Sequence, residues 1–316
     1  MNQQRRRFLT SSAGFLAASA LTKSVLAQPS GQRRFTVDLR WGSIGVKASQ
    51  REAIKLAAKH GFESVAASPA ELAKLSDSEN QDLLGELADA GLVWGSSGLP
   101  LDFRKDEARF QEGLRQLPTL AAAAKRAGVT RMGTWITPGS DELTYVANFR
   151  QHAQRLRQCA KVLQDHGLRF GLEYVGTPSL RNSKRYPFIH TMRETADLHA
   201  EIGVDNMGFV LDSWHWYTAR ETADDIRALD SKQVVGCDLN DAPAGLDIDQ
   251  QQDNQRELPM ATGVIDVQSF LEALVDIGYD GPVRAEPFNK PLNQLDNDAA
   301  CAKTSAAIHQ AFALLD

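Results

Sequence analysis

Four acids stand at the ends of short apolar runs in the second half of the chain. They are Glu173 in RFGLEYVG, Asp212 in GFVLDSWHWY, Asp238 in VVGCDLNDAP and Glu286 in PVRAEPF, with Asp241 three residues beyond Asp238. Taken singly, such an acid reads as a helix N-cap or as an ion-pair partner at a turn. Four on successive runs imply a shared mouth, where carboxylates repel one another and take up protons unless a cation neutralises them. An oxygen-rich set suits a hard divalent ion, Mg²⁺ or Mn²⁺, better than a thiolate metal. Of seven histidines, His60, His152, His166, His190, His199 and His309 fall in helical stretches or at their ends, whereas His215 follows Asp212 by three residues.

The elements that must carry these residues repeat. Strand-like runs are expected at Phe35 to Arg40, Ser64 to Ala67, Val93 to Ser96, Arg131 to Ile136, Arg169 to Tyr174, Met207 to Leu211, Val234 to Leu239 and Pro282 to Glu286. Helical stretches such as SQREAIKLAAKHGF and VQSFLEALVDIGY lie between them, many closing on glycine as helix ends do. Eight strand-helix repeats in a chain of 316 residues argue for an α/β fold of the (β/α)₈ TIM barrel type, because parallel strands need crossover helices and closure removes exposed edges. An open doubly wound sheet is the rival, but no GxGxxG or Walker A loop follows the first run. In a barrel the chemistry gathers at the C-terminal strand ends, where the four acids stand. The longest irregular stretch, APAGLDIDQQQDNQRELPMATGVID, follows the seventh run and is expected to help build the site. Alternation places Gly236, Asp238 and Asn240 on one face and Asp241 on the other, which favours Asp238 over Asp241 as the inward acid.

The N-terminal stretch MNQQRRRFLTSSAGFLAASALTKSVLAQPS has a basic cluster, a small apolar segment and Val25-Leu26-Ala27 before Gln28, the layout of an export signal. Arg5 and Arg6 followed by Arg7, Phe8 and Leu9 suit the twin-arginine export machinery, with an ordinary secretory signal as the alternative. The expected organisation is therefore a signal peptide at 1–27, a short linker at 28–34 and one barrel domain at 35–316, with a periplasmic mature protein. The apolar segment is too short for a stable membrane span. The net charge is −5, and loss of Arg5, Arg6, Arg7 and Lys23 takes it to about −9 by the same counting. Such a surface repels nucleic acid and acidic membranes. Cys159, Cys237 and Cys301 are widely spaced and odd in number, so disulfides do not carry the fold.

The ordered set LEYVG, LDSWH, LNDAP and AEPF resembles the xylose isomerase-like TIM barrels, the sugar isomerase and epimerase superfamily that includes the ketose 3-epimerases. That resemblance spans essentially the whole barrel region. It implies one divalent metal held by Glu173, Asp212, the residue at 238 and Glu286, with the two glutamates also moving protons and His215 contacting a small-molecule sugar substrate. Position 238 departs from the pattern, since the family's usual histidine is Asp238 here, which keeps Mg²⁺ or Mn²⁺ ahead of zinc and leaves Co²⁺ open. The distal glutamate of the epimerases is also missing, with Gly176, Thr177 and Pro178 in its place. The implied activity is a metal-dependent sugar isomerase or epimerase working through an enediolate. Two alternatives share the scaffold: a lyase or dehydratase acting on a keto-sugar or keto-glycoside, and a non-catalytic periplasmic sugar-binding barrel. The apurinic-site endonuclease branch would need a histidine-rich zinc cluster and a basic track that this acidic chain lacks. Trp41 and Trp135, with Trp214 and Trp216, are the candidate aromatic wall for sugar C–H faces.

Overall fold

The computed structural model describes residues 32–316, so the expected signal peptide and most of the linker lie outside the described residues. Eight parallel strands close into a barrel: β1 (Thr36–Leu39), β2 (Ser64–Ala67), β3 (Val93–Gly98), β4 (Arg131–Trp135), β5 (Arg169–Glu173), β6 (Met207–Asp212), β7 (Val234–Asp238) and β8 (Pro282–Arg284). They neighbour one another in chain order, and β8 closes on β1. All eight expected strands are present, and their ends shift by no more than two residues. The crossovers carry α1 (Gln50–Lys59), α2 (Asp77–Asp89), α3 (Glu107–Arg126), α4 (Tyr145–Asp165), α5 (Met192–Ile202), α6 (Ala223–Arg227), α7 (Val267–Asp276) and α8 (Asn297–Phe312). A small antiparallel ribbon, Gly139–Ser140 against Tyr186–Pro187, joins the loops after β4 and β5 and has too few residues to leave a sequence pattern.

Local chemistry sets the helix limits. Ser49 and Glu52 form a reciprocal capping box at the start of α1, satisfying donors that the first turn leaves free. Its buried stripe, Ala53, Ile54 and Ala57, faces the barrel. At the other kind of end, Gly203 closes α5 in the left-handed region (φ 63°) and returns its N–H to His199 O.

The barrel axis is packed by size matching. A Cβ on Gly133 would come within 2.7 Å of Val210 Cγ2, and one on Gly171 within 2.8 Å of the same atom. Glycines on β4 and β5 therefore admit Val210 of β6 to the axis, and two residues further along β6 stands Asp212. Nearer β1 the interior turns polar: buried Asp38 accepts a hydrogen bond from Ser64 Oγ (2.8 Å). A thick apolar layer of strand and helix side chains surrounds this polar upper barrel.

Candidate active site

The strand register brings the acids to one level. Asp212 of β6 pairs with Asp238 of β7, and Asp238 pairs with Arg284 of β8. Glu173 ends β5 and Glu286 follows β8 by two residues. Ligand atoms of Glu173, Asp212 and His215 lie within 4.8 Å of one another, as do those of Glu173, Asp238 and Glu286. Glu173 is common to both groups. Its Oε1 is buried with no hydrogen-bond partner among the described residues, an unusual state for a carboxylate oxygen and one that leaves it aimed at whatever enters the site.

Two arginines share this cluster. Arg256, 2% exposed, comes from the long loop after β7 and donates Nη1 to Asp212 Oδ2 (2.7 Å), Nη2 to Asp253 Oδ1 (2.8 Å), and Nη2 to His215 Nε2 (3.1 Å). Its guanidinium also lies over the Phe288 ring, 4.8 Å from the centroid. Arg284 grips Asp238 with both oxygens engaged, Nε to Oδ1 at 2.6 Å and Nη2 to Oδ2 at 2.9 Å, and reaches Ser96 Oγ as well. At the rim, Arg40 pairs with Glu286 Oε1 (3.2 Å), to which Ser43 Oγ donates (3.2 Å).

These pairings divide the acids. Burial, reinforced by the charges of Glu286, Asp238 and Asp212, pushes the Glu173 carboxyl well above its ordinary range. Burial also raises Asp212, to about 7, against the opposing pull of Arg256. Burial acts on Asp238 too, but the charge and hydrogen bonds of Arg284 outweigh it and hold that carboxyl low. His215 is lowered to about 3, first by burial and then by Arg256. Its ring is therefore neutral, as Nε2 must be to accept from a guanidinium.

The expected site residues are thus brought together, with differences in detail. Glu173, Asp212, Asp238, Glu286 and His215 meet at the barrel mouth, where Glu173, His215 and Glu286 line a cavity of about 370 Å³ while Asp212 and Asp238 are fully buried outside its lining. Asp238 faces inward as alternation requires, but it arrives ion-paired to Arg284. Asp241 is turned away: Oδ1 accepts from Ala242 N and Ile265 N, Oδ2 from Thr262 N and Gly263 N, at 2.7 to 3.1 Å. It clamps the loop whose Glu257 bridges back to Asp241 and so seats Arg256. Trp135 lines the cavity and is stacked by Arg104 at 4.1 Å. Trp41 lines an adjoining cleft instead. Trp214 and Trp216 are buried and line neither space: Trp214 Nε1 donates to Thr177 Oγ1, and Trp216 packs on Phe270.

Arg256 and Arg284 are the functional side chains that motif reading passed over. Arg284 had a signal, because it precedes Glu286 by two residues and so shares its inward face. Arg256 lies in an irregular loop where no periodicity marks a side chain's direction.

The carboxylate cluster suits a divalent cation at Glu173 and Glu286: Glu173 offers a buried oxygen without a partner among the described residues, and Glu286 lies close to it. Asp238, Asp212 and His215 stand beside them but are engaged by Arg284 and Arg256, so they would ligate a cation only by giving up those partners.

The model of the family described as xylose isomerase-like TIM barrel matches residues 54–309. The chain is 22% identical over 253 residues to an inosose isomerase of Bacillus velezensis, covering 78% of this chain and 85% of that one. A xylose isomerase domain protein of Alicyclobacillus acidocaldarius subsp. acidocaldarius superposes with a TM-score of 0.76 at 31% identity, over 86% of this chain and 96% of that one. The IOLI protein, solved with a bound zinc atom, superposes with a TM-score of 0.71 at 18% identity, over 88% and 98%. That likeness extends to the fold.

Proposed function

We propose that this chain, which belongs to the xylose isomerase-like TIM barrel family, is an isomerase or epimerase of a sugar or keto-sugar that works by moving a proton on the carbon next to a carbonyl. One observation carries the reading: Glu173 and Glu286 bring carboxylates from β5 and from beyond β8 to the same cavity, one with an unpartnered oxygen and one paired at the rim with Arg40. The similarity to an inosose isomerase over 85% of that protein's length supports it.

Glu173 and Glu286 are the proton carriers, exchanging the roles of base and acid with the direction of reaction. Neutral His215, which lines the cavity, holds the Arg256 guanidinium through Nε2, and Arg256 orients substrate oxygen atoms and supplies positive charge where an enediolate oxygen gathers negative charge. Trp135 closes the cavity on one side against sugar C–H groups. Glu173, Asp212, Asp238 and Glu286 would hold one divalent cation, with Asp212 and Asp238 exchanging their arginine partners for it, Mg²⁺ or Mn²⁺ by oxygen preference and Co²⁺ by tolerance. Such an ion would act as a Lewis acid, making the C–H beside the carbonyl more acidic.

The test is incubation with keto-sugars in D₂O. Solvent deuterium at the carbon beside the carbonyl, lost in Glu173→Gln and Glu286→Gln, is the expected result. Full exchange in both variants would remove the two glutamates from the mechanism, and no exchange by wild type across free and glycosylated ketoses would leave a binding barrel. Export by the twin-arginine route belongs to the same proposal, supported by the sequence of residues 1–27: Arg5→Lys with Arg6→Lys is expected to hold the protein in the cytoplasm, and undiminished periplasmic protein would refute it.

A further inference from the structure

The cavity over Glu173 does not end at Glu286. A second space of about 550 Å³ adjoins it on the β1 to β3 side of the mouth, and Arg40, Gly98, Glu286 and Phe288 line both. Nothing in proton transfer on a single sugar ring calls for this second space, because both proton carriers and His215 already face the first.

The walls of the cleft have a distinct chemistry. Trp41, Pro69, Leu99 and Pro100 present flat apolar surface, while Ser43 and Ser68 contribute hydroxyls. Arg40 stands between the cavity and the cleft. A second glycosyl unit has matching surfaces, apolar C–H faces and a rim of hydroxyls, and aromatic rings with a few placed polar groups are how proteins hold them.

Phe288 marks the junction. It is 39% exposed, an unusual position for a phenylalanine next to a buried cluster, and its backbone is in the left-handed region at φ 43°. A bulky residue adopts that conformation only where the surroundings impose it, and such strain gathers at ligand sites. The strained backbone turns the ring under Arg256 and into the lining of both spaces. Trp41, the first residue of the short turn Trp41–Ile44, lines the same cleft with its indole only partly buried.

We infer that the substrate is a glycosylated keto-sugar, with its reacting unit over Glu173 and Glu286 and its second glycosyl unit in the cleft between Trp41 and Phe288. The inference rests on the isomerase or epimerase reading for the reacting unit and adds the class of substituent. Arg40 then faces both units from the boundary and Ser43 faces the second, which accounts for their hold on Glu286 from the cleft side.

Binding tests this without turnover. D-fructose and three glucosyl-fructoses of different linkage (turanose, maltulose and isomaltulose) are titrated calorimetrically into wild type, Trp41→Ala and Gly42→Phe. A side chain at Gly42 is a suitable plug, since an added Cβ there meets no atom within 4 Å and no unusual φ is required. The best glucosyl-fructose is expected to bind wild type about tenfold more tightly than D-fructose, from one extra ring on an aromatic face. Both variants are expected to abolish that advantage while leaving D-fructose within about twofold. Equal affinities in wild type, or an advantage that survives both substitutions, would overturn the inference. Deuterium exchange on the same sugars is scored separately: exchange with equal affinities refutes the cleft alone, and a wild-type advantage abolished by both variants but without exchange refutes the catalytic reading alone.

Discussion

Asp238 and Arg284 are register partners on adjacent strands, and both oxygens of the one accept hydrogen bonds from the other. The pair explains how a carboxylate can stand on the seventh strand among Glu173, Asp212 and Glu286 without adding a net charge to the cluster. It also changes what a substitution there does. Breaking a buried ion pair by removing one partner leaves the other charge stranded, at a cost of about 3–5 kcal/mol.

Asp238→Asn is therefore expected to lower unfolding free energy by about that amount, measured by urea denaturation. Asp238→His alone strands Arg284 in the same way. Asp238→His combined with Arg284→Val is expected to recover most of the lost stability and to shift metal preference toward Zn²⁺ or Co²⁺, because a neutral nitrogen replaces an oxygen donor. A single His variant as stable as wild type would show that the pair contributes nothing.

In the proposed reaction Arg256 bears on catalysis more than on fold. It joins Asp212, Asp253 and His215 through its two terminal nitrogens, a fork that a lysine ammonium cannot reproduce. Arg256→Lys is expected to lower the deuterium exchange rate by about 10² while changing KM less, by loss of an oriented donor to the developing enediolate. Exchange within a factor of two of wild type would remove Arg256 from the reaction.

The barrel was legible from the sequence because its strands and helices impose different periods on apolar residues and its helix ends carry their own capping residues, as at Ser49 and Gly203. The acids were legible for a similar reason, since each stands at or just beyond a strand end and β-alternation sets its direction. That rule separated Asp238 from Asp241 correctly: the first points into the barrel and the second into its own loop. Pairing is a property of three dimensions, however, and the Asp238 to Arg284 bridge joins residues 46 apart in sequence. Arg256 was harder still, being placed by the Asp241 to Glu257 bridge within a loop that has no repeating pattern. The tryptophans divided by burial, which residue type alone does not set: Trp41 and Trp135 line open space, and Trp214 and Trp216 fill the core.

Asp241 gives a loop prediction. Its two oxygens accept four backbone N–H groups, and an amide in its place offers only one oxygen. Asp241→Asn is expected to cost about 1–3 kcal/mol, the penalty for buried donors left unpaired, and to loosen the segment that seats Arg256. Metal content of the purified protein is expected to stay unchanged. Metal loss at unaltered stability would make Asp241 a ligand after all.

Glu221 sets a pH dependence away from the site. Its Oε1 accepts from Met192 N at the start of α5 (2.7 Å), and its Oε2 from Tyr174 Oη, next to Glu173 in sequence. Burial raises its carboxyl from 4.5 to about 7, although both hydrogen bonds and the nearby His190 pull the other way. The folded state then keeps a proton that the unfolded state releases, so the contribution is complete below pH 4.5 and is lost as pH rises toward 7. Glu221→Gln removes the titration while keeping one acceptor for Met192 N. Urea midpoints for both proteins between pH 4 and 8, at about half-unit steps, are expected to show a wild-type advantage that declines across that interval and levels off above it. A stability difference that stays flat with pH would mean that the Glu221 proton is never taken up on folding.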